Sequence, residues 1–167
     1  MSDERGEEPL THVDDQGRAR MVDVGDKPIR ARRAVARGRI RFGERAYGLL
    51  RANRLAKGDA LAVARIAGIQ AAKRTADWIP LCHAVPLSHI DVTLEPDDAN
   101  LVVEVTATAS ANWTTGVEME AMVAVSAACL ALYDMAKGVD RSIEVEHIRL
   151  EQKSGGRSGV WTRSPAG

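Results

Sequence analysis

The spacing of apolar and polar residues predicts four strands and three helices. Apolar residues recur at every second position in the strands and at every third or fourth position in the helices. The predicted strands are Ala31–Phe42, Ile90–Glu95, Leu101–Thr108 and Ile143–Leu150, and the predicted helices are Glu44–Arg54, Asp59–Thr75 and Val117–Lys137. A short extended piece is predicted at Met21–Val24, an irregular stretch between Pro80 and Pro86, and a glycine-rich loop at Lys153–Gly159.

The order of these elements, β-α-α-β-β-α-β, indicates an α+β sandwich whose mostly antiparallel sheet is covered by helices on one face. The first predicted strand has arginines at one parity and small or apolar residues at the other. One face of that strand is therefore basic and the other suits a core. The last predicted helix is apolar around most of its circumference, which predicts that it is buried.

Length and charge exclude several classes of protein. The 167 residues suffice for one domain, predicted over residues 10–161 between a disordered tail at 1–9 and a C-terminal tail at 162–167. The 23 basic residues are balanced by 23 acidic ones, so no nucleic-acid partner is expected. The arginine-rich strand at 30–41 leaves nucleic-acid binding open as an alternative, but it lacks the aromatic residues that stack on bases.

Membrane and secreted classes are not indicated either. The longest nearly apolar run, Ala121–Leu132, is too short to span a bilayer. The first nine residues contain no apolar signal-peptide region. Cys82 and Cys129 are too few and too far apart for a disulfide framework. We expect a cytoplasmic protein that makes no contact with membranes.

Two segments in the first half of the chain carry polar residues that a core does not need. Lys57 and Asp59 open a predicted helix, where backbone N–H groups attract anions, although an ordinary helix cap with a solvated lysine is the alternative. Cys82 and His83 are adjacent, and such a pair suggests a metal ligand or an activated thiol. The histidine could also bind substrate or transfer a proton. No second Cys/His pair exists, so no metal site is predicted, and a structural histidine remains an alternative.

Two further segments lie in the second half. Asp134 and Lys137 share a face of the apolar helix, and we expect them to lie in an enclosed cleft where each tunes the pKa of the other for acid–base work. A surface ion pair is the alternative. Lys153 and Arg157 flank glycines whose backbone N–H groups could bind an anion, although the Walker A spacing is absent and a solvated tail is the alternative.

Taken together, the four segments predict an anionic substrate of the polyphosphate type and proton-transfer chemistry. No flavin, nicotinamide or iron–sulfur motif is visible, so no cofactor is expected. A non-catalytic nucleotide-binding module is the main rival interpretation. Such a module would use Lys57 and Lys153 but would not need Asp134.

Seven segments, distributed along nearly the whole chain, match one known family in its order. They are Met21–Val24, Lys57–Asp59, Ala64–Thr75 (ARIAGIQAAKRT), Ile79–His83 (IPLCH), Thr115–Ala121 (TGVEMEA), Leu132–Lys137 (LYDMAK) and Lys153–Gly156 (KSGG). From Leu10 to Trp161 the sequence resembles the MoaC family of cyclic pyranopterin monophosphate synthases, which act in molybdenum cofactor biosynthesis.

The resemblance implies a lyase that converts 3′,8-cyclo-7,8-dihydroguanosine triphosphate into cyclic pyranopterin monophosphate and releases diphosphate. It implies that Asp134 is the catalytic aspartate, in acid–base work. Lys137 and Lys153 would assist proton transfers and stabilise anionic intermediates, and Lys57 would hold phosphate or the reacting sugar end. The residues implied to line the substrate site are Leu81, Cys82, His83, Met119 and Glu120.

The resemblance also implies a ferredoxin-like fold and a homohexamer, a trimer of dimers, with sites at subunit interfaces. Glu120 and Asp134 are fourteen residues apart on one predicted helix, or about 21 Å. We therefore expect Glu120 of one subunit to meet Asp134 of another across a two-fold axis. The alternative is that one stretched triphosphate reaches both residues on a single chain. Two positions depart from the family: Ala84 follows His83 where proline is expected, and Arg157 stands where lysine is commoner. Because arginine favours bidentate contacts, the second departure affects how an anion would be held.

Overall fold

The computed structural model describes residues 16–156 and 159–164. The predicted tail at 1–9 and Arg157 lie outside these residues. The elements, in chain order, are β1 (Arg30–Arg41), α1 (Glu44–Arg51), α2 (Ala60–Ala72), α3 (Thr75–Trp78), β2 (His89–Asp97), β3 (Val102–Trp113), α4 (Glu118–Ala136), β4 (Glu144–Gly156) and β5 (Gly159–Thr162).

The strands form one antiparallel sheet in the order β2-β3-β1-β4-β5. Helix α4 packs across β1, β3 and β4, and α2 packs against α4 and β2, so both long helices cover the same face. The order of the first four strands, with helices inserted after β1 and β3, is the split β-α-β topology of ferredoxin-like domains. The predicted α+β sandwich is confirmed, and β5 is an added edge strand.

The two faces of β1 differ as the alternation predicts. Ala36 and Ile40 are fully buried beneath the helices. On the opposite face, the guanidinium of Arg39 lies 2.5 Å from a carboxylate oxygen of Glu104 on β3 and 3.7 Å from one of Glu146 on β4. Acidic side chains of the neighbouring strands thus balance part of the basic face, which weakens the nucleic-acid alternative.

Helix α4 is the core helix of the domain. In the part of the chain that the structure describes, it is the one helix long and apolar enough to cross a bilayer, but most of it is buried in the protein. Leu132 and Cys129, for example, are fully buried. Helix α2 comes close because it presents Gly68 to the α4 backbone, and a Cβ atom there would lie 2.8 Å from the carbonyl oxygen of Ala124. The predicted burial of α4 is confirmed.

The predicted glycine-rich loop at Lys153–Gly159 is wrong for its first four residues. Strand β4 continues to Gly156, where Lys153 pairs with Ala34 of β1 and Ser154 pairs with Arg33. On its other side, Lys153 pairs with Trp161 of β5. Glycine and serine have low strand propensity, and pairing with strands on both sides overrides it.

The ends of the helices differ from the prediction by a few residues. Asp59 caps α2 as expected, because its side chain accepts a hydrogen bond from the N–H of Ala62 at 3.0 Å. Helix α2 ends at Ala72, and Thr75, the predicted last residue, begins the short α3 instead. Met21–Val24 forms no strand. These corrections leave the predicted order of the main elements intact.

Candidate active site

Three predicted site residues meet at the C-terminal end of α4. The ammonium nitrogen of Lys137 lies 2.8 Å from Oδ1 of Asp134, which is one turn earlier on the helix. Lys57, in the loop before α2, places its Nζ atom 2.5 Å from Oδ2 of Asp134 and also donates a hydrogen bond to the backbone carbonyl of Asp134 at 3.0 Å. We call these three residues the lysine–aspartate cluster. The ion pair of Asp134 with Lys137 agrees with the spacing argument, whereas the contact with Lys57 was not foreseen.

The two lysines keep Asp134 ionised. Hydrogen bonds from Lys137 and Lys57 lower the pKa of Asp134 to about 2. The hydrogen bond and charge of the same carboxylate raise the pKa of Lys137. At neutral pH the cluster therefore carries two positive charges and one negative charge, and its net charge attracts an anion.

The lysine–aspartate cluster faces solvent, so the expectation of an enclosed cleft is wrong for a single chain. The exposed fractions of the side chains are 49% for Lys57 and 51% for both Asp134 and Lys137. The buried residues of the same turns, Leu132 and Met135, point into the core. Asp134 and Lys137 therefore occupy the outer side of α4.

The five residues implied to line the substrate site meet at the opposite end of α4. They surround one cavity of about 410 Å³, which we call the Glu120 cavity. Leu81, Cys82 and His83 reach it from the loop after α3, and Met119 and Glu120 reach it from the first turn of α4. The residues that complete the cavity wall are Val22, Val24, Lys27, Val85, Thr115, Gly116 and Glu118.

A series of turns brings the cysteine–histidine pair to this cavity. The buried Thr75 donates its hydroxyl to the carbonyl of Ala72 at 3.0 Å. The N–H of Ile79 then bonds to the carbonyl of Thr75, and the N–H of Cys82 bonds to that of Ile79, both at 3.0 Å. These bonds reverse the chain after α2, so that Cys82 and His83 face the start of α4.

Glu120 differs from every other acidic residue of the two sites because it is buried, with 3% of its surface exposed. Burial and, to a smaller extent, the charge of Glu118 raise the pKa of Glu120 to about 7. Burial, with a contribution from Glu120, also raises the pKa of the Cys82 thiol. Cys82 is therefore a thiol near neutrality and not an activated thiolate.

A second cavity, of about 440 Å³, adjoins the first and is rich in cations. We call it the basic cavity. Its charged lining residues are Lys27, Arg30, Arg32, Lys153, Asp26 and Glu118. The ammonium of Lys153 lies 3.1 Å from a carboxylate oxygen of Glu118. Four cations against two acids make this cavity suitable for a polyphosphate or another multiply charged anion.

The wall between the two cavities requires a glycine. Lys27, Thr115, Gly116 and Glu118 line both cavities. A Cβ atom on Gly116 would lie 1.8 Å from a carboxylate oxygen of Glu118. The absence of a side chain at this position thus lets Glu118 fold back beside the loop and hold Lys153.

Sequence reasoning did not identify five charged residues of these cavities: Asp26, Lys27, Arg30, Arg32 and Glu118. Glu118 stands two positions before Glu120 in the TGVEMEA segment, so the segment itself contained the signal. Arg32 lies at the opposite parity from the predicted basic face of β1. Its guanidinium donates to the carbonyls of Trp113 at 3.2 Å and Thr114 at 3.0 Å, which fixes the loop that leads to the cavity wall.

The predicted site residues of one chain thus form two separate groups. Glu120 and Asp134 are fourteen residues apart on α4, or about 21 Å. Lys153, which the resemblance assigns to proton transfer together with Lys137, lies at the Glu120 end. Within residues 16–156 and 159–164, no group of three or more His, Cys, Asp or Glu side chains is arranged to hold a metal ion.

Comparison with known proteins covers both groups. The sequence profile of the MoaC family matches residues 21–156. The cyclic pyranopterin monophosphate synthase of Chloroflexus aurantiacus is 55% identical over 154 residues, which span 92% of this chain and 94% of the relative. The synthase of Cereibacter sphaeroides is 52% identical over 155 residues (93% and 98% of the two chains), and that of Thermomicrobium roseum is 51% identical over 154 residues (92% and 93%).

The range matched by the family profile includes both groups of candidate site residues. The matched range contains the lysine–aspartate cluster and every described residue of the Glu120 cavity. More than half of the aligned residues are identical to those of each relative, and each alignment covers more than 90% of this chain. On these grounds the chain belongs to the MoaC family.

Proposed function

We propose that this chain is a cyclic pyranopterin monophosphate synthase, an enzyme of molybdenum cofactor biosynthesis. Its substrate is 3′,8-cyclo-7,8-dihydroguanosine triphosphate, and its products are cyclic pyranopterin monophosphate and diphosphate. The main support is that the residues implied by the family resemblance collect at the two ends of one core helix, in a chain about half identical to proteins of that name.

The basic cavity suits the triphosphate. Formation of a cyclic phosphate requires a hydroxyl oxygen of the substrate to attack the first phosphorus atom, while the bond to diphosphate breaks. Negative charge develops on the leaving diphosphate, and fixed cations around it lower the barrier. Lys153 and Arg32 are placed in the wall of this cavity, and Glu118 keeps the ammonium of Lys153 in position.

The Glu120 cavity suits the ring system. Its volume of about 410 Å³ is in the range of small-ligand sites. Its wall combines apolar side chains, such as Leu81 and Met119, with the polar side chains of His83 and Glu120. Apolar walls with a few polar groups bind flat heterocycles and fix their orientation.

The lysine–aspartate cluster supplies the remaining charges. Lys57 and Lys137 present two ammonium groups that stabilise anionic intermediates and the substrate's phosphates. Asp134 is ionised and holds both of them by hydrogen bonds. Its removal would leave the two ammonium groups without a fixed position.

A complete site requires two copies of the chain. The residues Glu120, Val123, Ala127, Leu130 and Asp134 are spaced by three or four positions and so run along one side of α4. Glu120, Val123 and Ala127 are buried within the chain, whereas Leu130 is 57% exposed. The same helical layer exposes further apolar residues of α2 and α3: Val63, Ile66 and Trp78. A two-fold axis across this apolar surface would bring Asp134 of the partner subunit towards Glu120. Such a pair would be the dimer unit of the homohexamer, a trimer of dimers, that the resemblance implies.

The proposed reaction opens and rebuilds a ring without a redox cofactor, and the substrate is a small molecule. Cys82 and Cys129 are free thiols, as is usual for proteins of the reducing cytoplasm. A cytoplasmic enzyme without nucleic-acid or membrane partners is therefore proposed.

Incubation with the cyclic dihydroguanosine triphosphate tests this function directly. Diphosphate and a pterin product should appear in equal amounts, and the Asp134→Asn variant should bind substrate but form both products far more slowly. A wild-type protein that binds the triphosphate tightly but releases no diphosphate would instead be the nucleotide-binding module that competes with this proposal.

A further inference from the structure

Glu120 is the one charged side chain in the described part of the chain that is almost fully removed from solvent. It is 3% exposed, whereas the side chains of Glu118 and Asp134 are 29% and 51% exposed. A buried carboxylate without a counter-ion is unfavourable. The position of this group therefore points to a use in the cavity that it lines.

Within residues 16–156 and 159–164 of one chain, no cation forms an ion pair with this carboxyl group. The titratable and charged groups that line the cavity with it are Cys82 and His83 from the loop after α3, Glu118 from α4 and Lys27 from the segment before β1. In the described residues none of the four forms an ion pair or a side-chain hydrogen bond with Glu120, and Glu118 is itself engaged by Lys153. Within one chain, burial therefore has the largest effect on Glu120 and raises its pKa to about 7.

Asp134 has the opposite environment. Two ammonium groups bind its two carboxylate oxygens, and its pKa of about 2 keeps it ionised at neutral pH. Such a weak base takes up a proton poorly, and it carries none to donate. Two carboxyl groups whose surroundings move their pKa values in opposite directions indicate a division of roles.

We propose that Glu120 is a catalytic acid–base residue that exchanges a proton with the ring system of the substrate, and that Asp134 remains a carboxylate that positions Lys57 and Lys137. The inference rests on the proposed function and assigns the proton carrier of that same site. Glu120 lies in the cavity proposed for the ring, so no rearrangement of the chain is needed to bring them together.

The proton balance of ring opening is simple. Hydrolysis of a ring C–N bond joins the oxygen of water to carbon, and the electron pair of the broken bond stays on nitrogen. The carboxyl group of Glu120 gives its proton to that nitrogen. The resulting carboxylate then takes a proton from the water that has added, so that Glu120 returns to its starting form and the sum is the addition of one water molecule.

The Glu120→Gln variant tests this role, since it keeps the shape of the side chain but cannot transfer a proton. We expect kcat to fall roughly 10²- to 10⁴-fold, with KM changed only a few-fold. The wild-type rate should change with pH around neutrality, and this dependence should be absent from the variant. Glu95→Gln, on the exposed open face of the sheet, is the matched control and should retain the wild-type rate. A variant with the wild-type kcat, or with an unchanged pH profile, overturns the proposal.

A measurement without any variant gives a second test. In wild-type protein with ¹³C-labelled glutamate and no substrate, one side-chain carboxyl should titrate at about pH 7, far from the usual value of about 4.3. Titration of all glutamates near the usual value would overturn the inference, even if Glu120→Gln did not fold. Turnover by the wild type is measured first, because its absence would refute the proposed function and not this role of Glu120.

Discussion

Lys57 and Asp134 are 77 positions apart in the chain, and the ammonium nitrogen of one lies 2.5 Å from a carboxylate oxygen of the other. Lys137 binds the second oxygen of the same carboxylate at 2.8 Å. One exposed acidic group therefore fixes two cations that come from different elements. The buried face of α4 packs against the core, so we expect the fold to survive the loss of this contact.

Asp134→Asn should lower kcat by about 10²-fold or more while the protein stays folded. The amide keeps the shape of the side chain but not the charge that holds Lys57 and Lys137, so the two ammonium groups repel each other and lose their positions. Turnover of the cyclic triphosphate and the circular dichroism spectrum are the measurements. Asp91→Asn, an exposed position on β2, is the control. Near-normal turnover by Asp134→Asn would show that the lysine–aspartate cluster is not catalytic.

Lys57→Ala and Lys153→Ala should each weaken substrate binding or turnover more than Arg39→Ala does. Lys57 stands in the lysine–aspartate cluster and Lys153 lines the basic cavity. Arg39 faces the open side of the sheet, where it pairs with Glu104. Steady-state kinetics of the three variants at one salt concentration decide the matter. Similar losses in all three would mean that the lysines act only through the overall surface charge.

Glu120→Gln should reduce the dependence of stability on pH. The pKa of Glu120 is about 7 in the folded protein against an ordinary value of 4.5. Because folding raises this pKa, Glu120 contributes stability at pH values below its pKa in the unfolded chain. This contribution is lost as the pH rises through the pKa of Glu120 in the folded protein. The loss amounts to on the order of 3 kcal/mol. The free energy of unfolding is measured with urea at about pH 5 and about pH 8, at equal protein concentration. It should differ less between the two pH values for the variant than for the wild type. An equal difference would mean that Glu120 is not the group concerned.

Two alanine substitutions at helical glycines should have opposite effects on stability. At Gly68 a new Cβ would lie 2.8 Å from the carbonyl oxygen of Ala124, so Gly68→Ala should separate α2 from α4 and cost about 1–3 kcal/mol. At Gly48, inside α1, no atom lies within 4 Å of the new Cβ, so Gly48→Ala should stabilise by about 0.5–1 kcal/mol. Denaturant unfolding of both variants tests the pair. Equal effects would contradict the close packing of α2 on α4.

Local periodicity explains what the sequence could predict of the fold. Strand alternation places Ile40 inward and Arg39 outward whatever the rest of the chain does. The strand character of Lys153–Gly156 depends instead on pairing with β1, which begins more than a hundred residues earlier. No pattern within that segment indicates such pairing, so the segment by itself predicts a loop.

The contacts of the candidate site also divide into those that the local sequence determines and those that depend on distant segments. The spacing of Asp134 and Lys137 predicts their contact, because neighbours on a helix face are determined locally. The contact with Lys57 requires α2 to lie beside α4, and the burial of Glu120 requires the loop after α3 to cover it. Both are consequences of tertiary packing. The sequence could therefore identify Glu120 only through its family motif. It could not predict the raised pKa of this residue, because that depends on burial.

Mixing two inactive variants should restore part of the activity. Glu120 and Asp134 lie at opposite ends of α4, too far apart for one compact ring to contact both within a chain. If sites are shared across a two-fold axis, a pair made of one Glu120→Ala chain and one Asp134→Asn chain has one site with both residues intact and one with both replaced. Random pairing after joint unfolding and refolding should then return about a quarter of the wild-type activity.

Each variant refolded alone is the control, and each should remain inactive. A mixture of two samples of the same variant should also remain inactive, which excludes recovery by refolding itself. If each chain held a complete site, no mixed pair could contain an intact one, and the mixture would stay inactive at any ratio. That result would refute the shared site even for a protein that assembles into a hexamer, because assembly through the apolar surface around Leu130 does not by itself require that the chains share their catalytic groups.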